Sequence, residues 1–296
     1  MKKFFTLRPA SFRPFQTLIL ILLGVGGAMQ ASGQLLQQDF SSSTTVSTYA
    51  NGTPSNGQWN AISTSGAGTV LSINTTGTNK MRFVRTGNAG AMSRTADFSP
   101  TPGTLMYQFD VALSGNTAAT TSAAVWQVGS SYGTANSAES NANTYARFAM
   151  NITATAGQFV LRDISNSTNG ANTYSGTQTI TWVLNKSGTA TTYRAPDGSN
   201  ESIANDVADI WVGTTREFND VTIQSATQTI TDLKFSWSNG IGTIDQDNFL
   251  INPIPAIPTS SAASVITSSS FQANWSTVSD VTGYSIDVST SPTFAS

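Results

Sequence analysis

The acids near residue 245 are the residues best placed for chemistry. Asp245 and Asp247 alternate as strand positions do, with Asn248 beside them. Together with Gln38 and Asp39 they would supply hard oxygen ligands for a structural Ca²⁺, with Asp39, Asp245 and Asp247 as its carboxylates. The plainer alternative is that these acids end a strand and bond a turn. A second set is aromatic: Trp59, in Asn56-Gly57-Gln58-Trp59-Asn60, and Trp126 with Tyr132 could stack on sugar rings while neighbouring amides bond the hydroxyls. Core packing is the competing use of such large side chains.

Other chemistries are closed or unsupported. The chain has no Cys and no His, which removes thiolate nucleophiles, the Ser-His-Asp arrangement and the usual zinc sites. Glycoside hydrolysis needs two carboxylates flanking the scissile bond. Glu occurs only as Glu139, Glu201 and Glu217, none in an alternating acidic run, and Asp245 and Asp247 have the spacing but no Glu partner. The chain is therefore expected not to be an enzyme.

The elements that must position these residues read as strands. Apolar residues alternate at Leu105, Tyr107, Phe109, Val111 and Leu113, with Gln108, Asp110 and Ala112 facing the other way. Phe148, Met150 and Ile152 repeat the period, as do Ile180, Trp182 and Leu184, and then Leu233, Phe235 and Trp237. That pattern assigns Trp182, Trp211 and Trp237 to a core. Turn chemistry separates the runs at Asn185-Lys186-Ser187-Gly188, Pro196-Asp197-Gly198 and Asn239-Gly240, the last being the strongest hairpin signal. At most one helical turn is expected, near Glu201 to Val207.

Composition agrees with a large all-β body. Charged residues are only 10% of the chain, so polarity rests on uncharged side chains that favour strands and turns over helices. Without disulfides an exported domain must be held by its core alone, and the 15 Phe and 6 Trp can build one.

Ahead of the body lies an export signal. Lys2, Lys3, Arg8 and Arg13 precede the apolar run Leu18–Ala28, which is too short to span a bilayer. Ala31-Ser32-Gly33 then offers a cleavage site before Gln34, and no Cys follows to carry a lipid. An uncleaved anchor is the alternative. Removing residues 1–33 leaves ten basic against sixteen acidic residues, a net charge of −6. No basic patch remains for nucleic acid or an anionic membrane, and no second apolar run reaches spanning length.

Residues 34–252 form the body, 253–258 (Pro253-Ile254-Pro255-Ala256-Ile257-Pro258) a stiff linker, and 259–296 a short C-terminal piece. Several segments of the body, in this order, resemble the concanavalin-like (LamG-like) jelly-roll domains of secreted bacterial proteins. They are Gln38-Asp39-Phe40, the run Thr181–Gly188, Tyr193–Gly198, Asp209–Thr214 and Ile244–Phe249. The resemblance implies a β-sandwich, and calcium is common in such domains. The C-terminal piece resembles the first half of a fibronectin type III module, with Ser270–Trp275 as strand B and Gly283–Ser289 as strand C led by Tyr284. Such a sandwich needs about 100 residues and seven strands, so the chain is expected to be part of a longer protein.

Taken together, the sequence predicts an all-β protein: a jelly-roll β-sandwich followed by a partial fibronectin type III sandwich. The leading expectation is an extracellular binding or adhesion module for a polysaccharide or cell-surface glycan. An accessory region of a secreted hydrolase and a structural spacer are the alternatives.

Overall fold

The alternation at Leu105–Leu113 forms one long strand, Thr104–Ser114, in which every second residue is buried and the residues between are half-buried. The computed structural model describes residues 4–8, 34–255, 260–267, 270–276 and 285–289. They divide into two units, Gln34–Ile254 and the segments Met1–Gly33 with Pro255–Ser296.

Numbered in chain order, β1 (Phe4–Arg8) belongs to the second unit. The first unit opens with β2 (Leu36–Gln38), a 3-10 turn (Val46–Tyr49), β3 (Ala61–Thr64), β4 (Thr69–Asn74), β5 (Lys80–Arg85) and β6 (Gly90–Arg94). The long strands β7 (Thr104–Ser114), β8 (Thr120–Gly129) and β9 (Thr144–Ile152) follow, then β10 (Gln158–Asp163), β11 (Thr168–Asn169) and β12 (Tyr174–Ser175). Next come β13 (Thr177–Asn185), β14 (Thr191–Arg194), β15 (Asn200–Ile203), β16 (Val207–Val212) and β17 (Thr215–Thr222). The pair β18 (Asp232–Trp237) and β19 (Gly242–Asn252) closes the unit.

These strands make an antiparallel jelly-roll sandwich. A front sheet runs β17-β16-β13-β7-β19-β5-β4, with β2 also on β19. A back sheet runs β11-β10-β9-β8-β18-β6-β3, with β12 also on β10. The inner faces meet in one aromatic core. Phe249 stacks on Phe109 with centroids 5.5 Å apart, Phe109 on Trp126 at 5.4 Å, and Trp126 on Phe148 at 5.2 Å. This column ties the two sheets together, and aromatic pairs of this kind contribute beyond the area they bury.

Two expectations about connections are corrected. Asn239-Gly240 is no hairpin turn: β18 pairs with β6 and β8 in the back sheet, β19 with β2, β5 and β7 in the front. The positive φ of Gly240 (72°) and Gly242 (143°) turns the chain from one sheet to the other. Glu201–Val207 is not helical either; its residues end β15 and start β16. Among the described residues the 3-10 turn is the one helical element, and no helix is long and apolar enough to cross a membrane.

Each sheet carries a cover on its outer face. The β14–β15 hairpin, turning at Pro196-Asp197-Gly198, lies on the front sheet and builds a small second core of Val183, Tyr193, Ala195, Ile203, Trp211 and Ile254. Ile254, from the expected linker, is thus docked on the body, and its amide donates to Thr104 Oγ1 at 2.9 Å. Residues 130–143, between β8 and β9, form a strap over the outer face of the back sheet, bonded to Asp232 and Lys234 of β18, while the other face of β18 lies in the aromatic core.

In the second unit β20 (Ser260–Ser264) pairs with β21 (Gln272–Trp275), and β22 (Ser285–Ser289) pairs with β1. The apolar run Leu18–Ala28 and Tyr284 lie outside the described residues.

A polar recess on the front sheet

Beside the β14–β15 hairpin, the outer face of the front sheet stays open. A shallow recess of about 60 Å³ lies there, lined by Thr78 and Lys80 near β5, Asp110 and Ala112 on β7, Thr177 on β13, and Asp245, Asp247 and Asn248 on β19. Strand alternation explains the set. Asp110 and Ala112 are the outward residues of β7, and Asp245 and Asp247 those of β19.

A bulge shapes its floor. The register between β19 and β7 shifts after Asp247, and Asn248 adopts a left-handed φ of 52°. Asp247 stands directly opposite Asp110, a like-charged pairing that ordinarily destabilises a sheet. Asn248 joins the two: its amide N–H donates to Asp247 Oδ1 and its side-chain Nδ2 to Asp110 Oδ2, both at 2.8 Å. Thr179 Oγ1 also donates to Asp110, and Thr78 Oγ1 to Asp247 Oδ2 at 3.2 Å. Burial pushes the Asp247 carboxyl up from its ordinary range; Asp110 adds to the shift, while the Asn248 and Thr78 hydrogen bonds and Lys80 oppose it.

The recess therefore presents the carboxyl of Asp110, which already accepts from Thr179 and Asn248, the carboxyl of Asp247, which burial pushes up, and the Lys80 ammonium as a donor. Such a set can bind neighbouring hydroxyls, which donate and accept at once. It can also, in principle, pass a proton.

The calcium trio is not assembled. Asp39 is exposed and closes its own turn, accepting from Ser41 N at 3.0 Å and Ser41 Oγ at 2.7 Å, which holds its carboxyl below the usual range. Asp245 is engaged by Arg82 through Nε at 2.7 Å and Nη2 at 2.6 Å, with Asn74 Nδ2 at 3.1 Å. Among the described residues no group of three or more carboxylates is arranged to hold a metal ion.

The aromatic expectation is corrected as well. Trp59 is fully buried, edge-on to Phe249 at 5.3 Å, because β2 and the 3-10 turn fold over it. Trp126 sits inside the aromatic column, and its Nε1 donates to Gln246 Oε1 at 3.0 Å. Tyr132 is buried under the cover of the back sheet. None of the three can stack on a ligand. The assignment of Trp182, Trp211 and Trp237 to the interior agrees with their burial.

The residues that sequence reasoning passed over are Asp110, Thr179 and Lys80. Asp110 was visible as an outward position of β7, but only the pairing of β7 with β19 brings it to Asp247.

No family model matches the chain, and no curated protein does. Solved structures of similar architecture include the carbohydrate esterase vb_24B_21 from Shiga toxin-encoding bacteriophage phi24B, at 11% identity over 75% of this chain and 98% of that one, TM-score 0.45. The potassium-bound carbohydrate recognition domain of Emp46p matches at 8% identity over 76% and 98%, TM-score 0.45. An endo-1,3-beta-glucanase from Streptomyces sioyaensis matches at 12% over 77% and 98%, TM-score 0.39. At these values the likeness reaches no further than the sandwich architecture. The expectation that the chain is not an enzyme is corrected by this finding, since a carbohydrate esterase and an endo-1,3-beta-glucanase are among these structures.

Proposed function

We propose that this protein is a secreted carbohydrate-binding module whose ligand, a polysaccharide or cell-surface glycan, lies in the recess of the front sheet. The observation that carries this reading is the Asp110–Asn248–Asp247 set, which puts acceptors and donors side by side on an open, shallow surface. With no aromatic side chain lining the recess, affinity rests on hydrogen bonds alone, which are worth about 0.5–1.5 kcal/mol net each. An extracellular setting is supported by the basic, then apolar, leader at residues 1–33.

A second reading comes from one specific feature. Asp110 and Asp247 are directly opposite in an antiparallel pair, so their side chains are close neighbours on one face, and retaining glycosidases work with two closely spaced carboxyl groups. Asp247, biased towards protonation, would be the acid and Asp110 the base or nucleophile.

One experiment separates these. Soluble oligosaccharides are titrated by NMR into the chain and into Asp110→Ala and Asn248→Ala, while product release is followed by mass spectrometry. Binding that both variants lose, without new products, supports the module. Products that vanish in Asp110→Ala support catalysis. Binding unaffected by both variants would remove the recess from either reading.

A further inference from the structure

Four Asn-Gly steps occur in the chain: Asn51-Gly52, Asn56-Gly57, Asn169-Gly170 and Asn239-Gly240. In each, the glycine nitrogen can attack the asparagine side-chain carbonyl carbon, because glycine has no side chain to hinder the approach. The fold decides which step reacts, since the reacting groups must already be in contact.

Three of the steps are turned away from this reaction. Gly170 N donates to Leu161 O at 2.8 Å, and Asn169 Oδ1 is held by Asn151 Nδ2 at 2.8 Å and Arg162 Nη1 at 3.0 Å. Asn56 Nδ2 donates to Gln34 O at 3.0 Å, while the Gly57 N–H turns to Ser55 Oγ at 3.4 Å. Asn51 Oδ1 accepts from Thr53 N at 3.0 Å rather than from Gly52.

Asn239 differs. Gly240 N donates to Asn239 Oδ1 at 3.0 Å, so nucleophile and carboxamide already touch. The side chain is exposed, but its backbone is fixed from two directions. Trp237 Nε1 donates to Asn239 O at 2.7 Å. Arg85 donates to the carbonyls on either side, Ser238 O at 2.7 Å and Gly240 O. The Trp237 bond falls on the carbonyl of the same peptide whose N–H must ionise, and a hydrogen bond to the anionic form favours it. Arg85 is also a cation in want of an anion: it is buried, its Nε has no partner, and among the described residues no carboxylate pairs with it.

We propose that Asn239 is a self-modifying site: Gly240 N attacks its carboxamide, and the carboxylate that results supplies Arg85 with a counter-charge. Hydroxide removes the Gly240 N–H proton, the bond from nitrogen to Cγ forms, and the Cγ–Nδ2 bond breaks, Nδ2 leaving as ammonia with a proton from water. Water then opens the cyclic imide at one of its two carbonyls, giving aspartate or its β-linked isomer. Only solvent is consumed. The two products act differently on the crossing from β18 to β19. Aspartate keeps the backbone, so Arg85 retains both carbonyls and gains a charge beside it. The isomer inserts a methylene between those carbonyls and draws them off the guanidinium.

Peptide mapping by mass spectrometry of the full chain, held folded in mildly alkaline buffer, tests the site against three internal controls of the same dipeptide. Asn239 should convert first, at least about tenfold faster than Asn56 and Asn169, as prior contact of the reacting groups allows. In urea the four rates should converge. Asn239→Asp, the direct product, reads the pairing with Arg85. A carboxylate held by Arg85 titrates below its unfolded value, so this variant should melt above the original chain at neutral pH and lose the advantage as pH falls through the carboxylate range. Conversion led by any of the other three steps, a lead of Asn239 that persists in urea, or an Asn239→Asp chain with no gain in Tm at neutral pH would overturn the proposal.

Discussion

Asp110 and Asp247 face one another across β7 and β19, and a single residue, Asn248, bonds both carboxyls from a bulge that exists only on the β19 side. The pair persists because donors surround it, and its cost is set by how much charge it must carry.

That cost is measurable in Asp247→Asn. Burial and Asp110 raise the Asp247 carboxyl, so the folded chain holds this proton more tightly than the unfolded one, and Asp247 subtracts stability as pH rises above the ordinary carboxylate value. Asparagine resembles the protonated form. Chemical denaturation at pH 7.5 should show the variant more stable by about 0.2–1 kcal/mol, the usual cost of opposed like charges in a sheet. The difference should close by pH 4.

Trp126→Ala removes the centre of the aromatic column between Phe109, Phe148 and Phe235. Urea denaturation should show a loss of about 3–5 kcal/mol. Oligosaccharide affinity per folded molecule should not change, since the side chain never meets solvent.

Tyr193→Phe tests the hairpin on the front sheet. The Tyr193 hydroxyl donates to Asp209 and accepts from Trp211 Nε1 at 2.9 Å, all three residues being buried. Its removal leaves Trp211 Nε1 without an acceptor and Asp209 Oδ2 with only the Arg216 guanidinium at 3.6 Å, and should cost about 1–3 kcal/mol. Protease cleavage should then appear first near Asp197-Gly198.

At Gly129 an added Cβ would strike the Asn143 carbonyl and come within 2.7 Å of Tyr132 Oη. Because the obstacle is backbone, the strap must move. Gly129→Ala should cost about 1–3 kcal/mol, as overpacking does, with cleavage in residues 130–143 at any pH.

Addition of Ca²⁺ or a chelator should leave Tm unmoved. Asp39 is satisfied by Ser41 and Asp245 by Arg82, whereas a site filled at 100 times its Kd would add about 2.7 kcal/mol.

Much of this molecule was legible residue by residue. Alternation located β7, β13 and β18 and assigned Trp182, Trp211 and Trp237 to the interior, because a strand's two faces follow from its own backbone. Pro196-Asp197-Gly198 turned as its residues demand, with Gly198 at a φ of 88°. Asn239-Gly240 carried the strongest hairpin signal and failed as a hairpin, since local chemistry sets the turn but not which sheet the next strand joins.

The sequence by itself determined an all-β, disulfide-free sandwich and barred His and Cys chemistry, for these depend only on residue type and short-range period. Tertiary structure alone decided which outward faces are covered, and so which polar residues meet solvent. Trp59 looked free in its loop and is buried by distant strands, while Asp110 looked ordinary and lines the recess. The reason is that burial and register are set when far-separated strands pair, and no period of two or three residues carries that information.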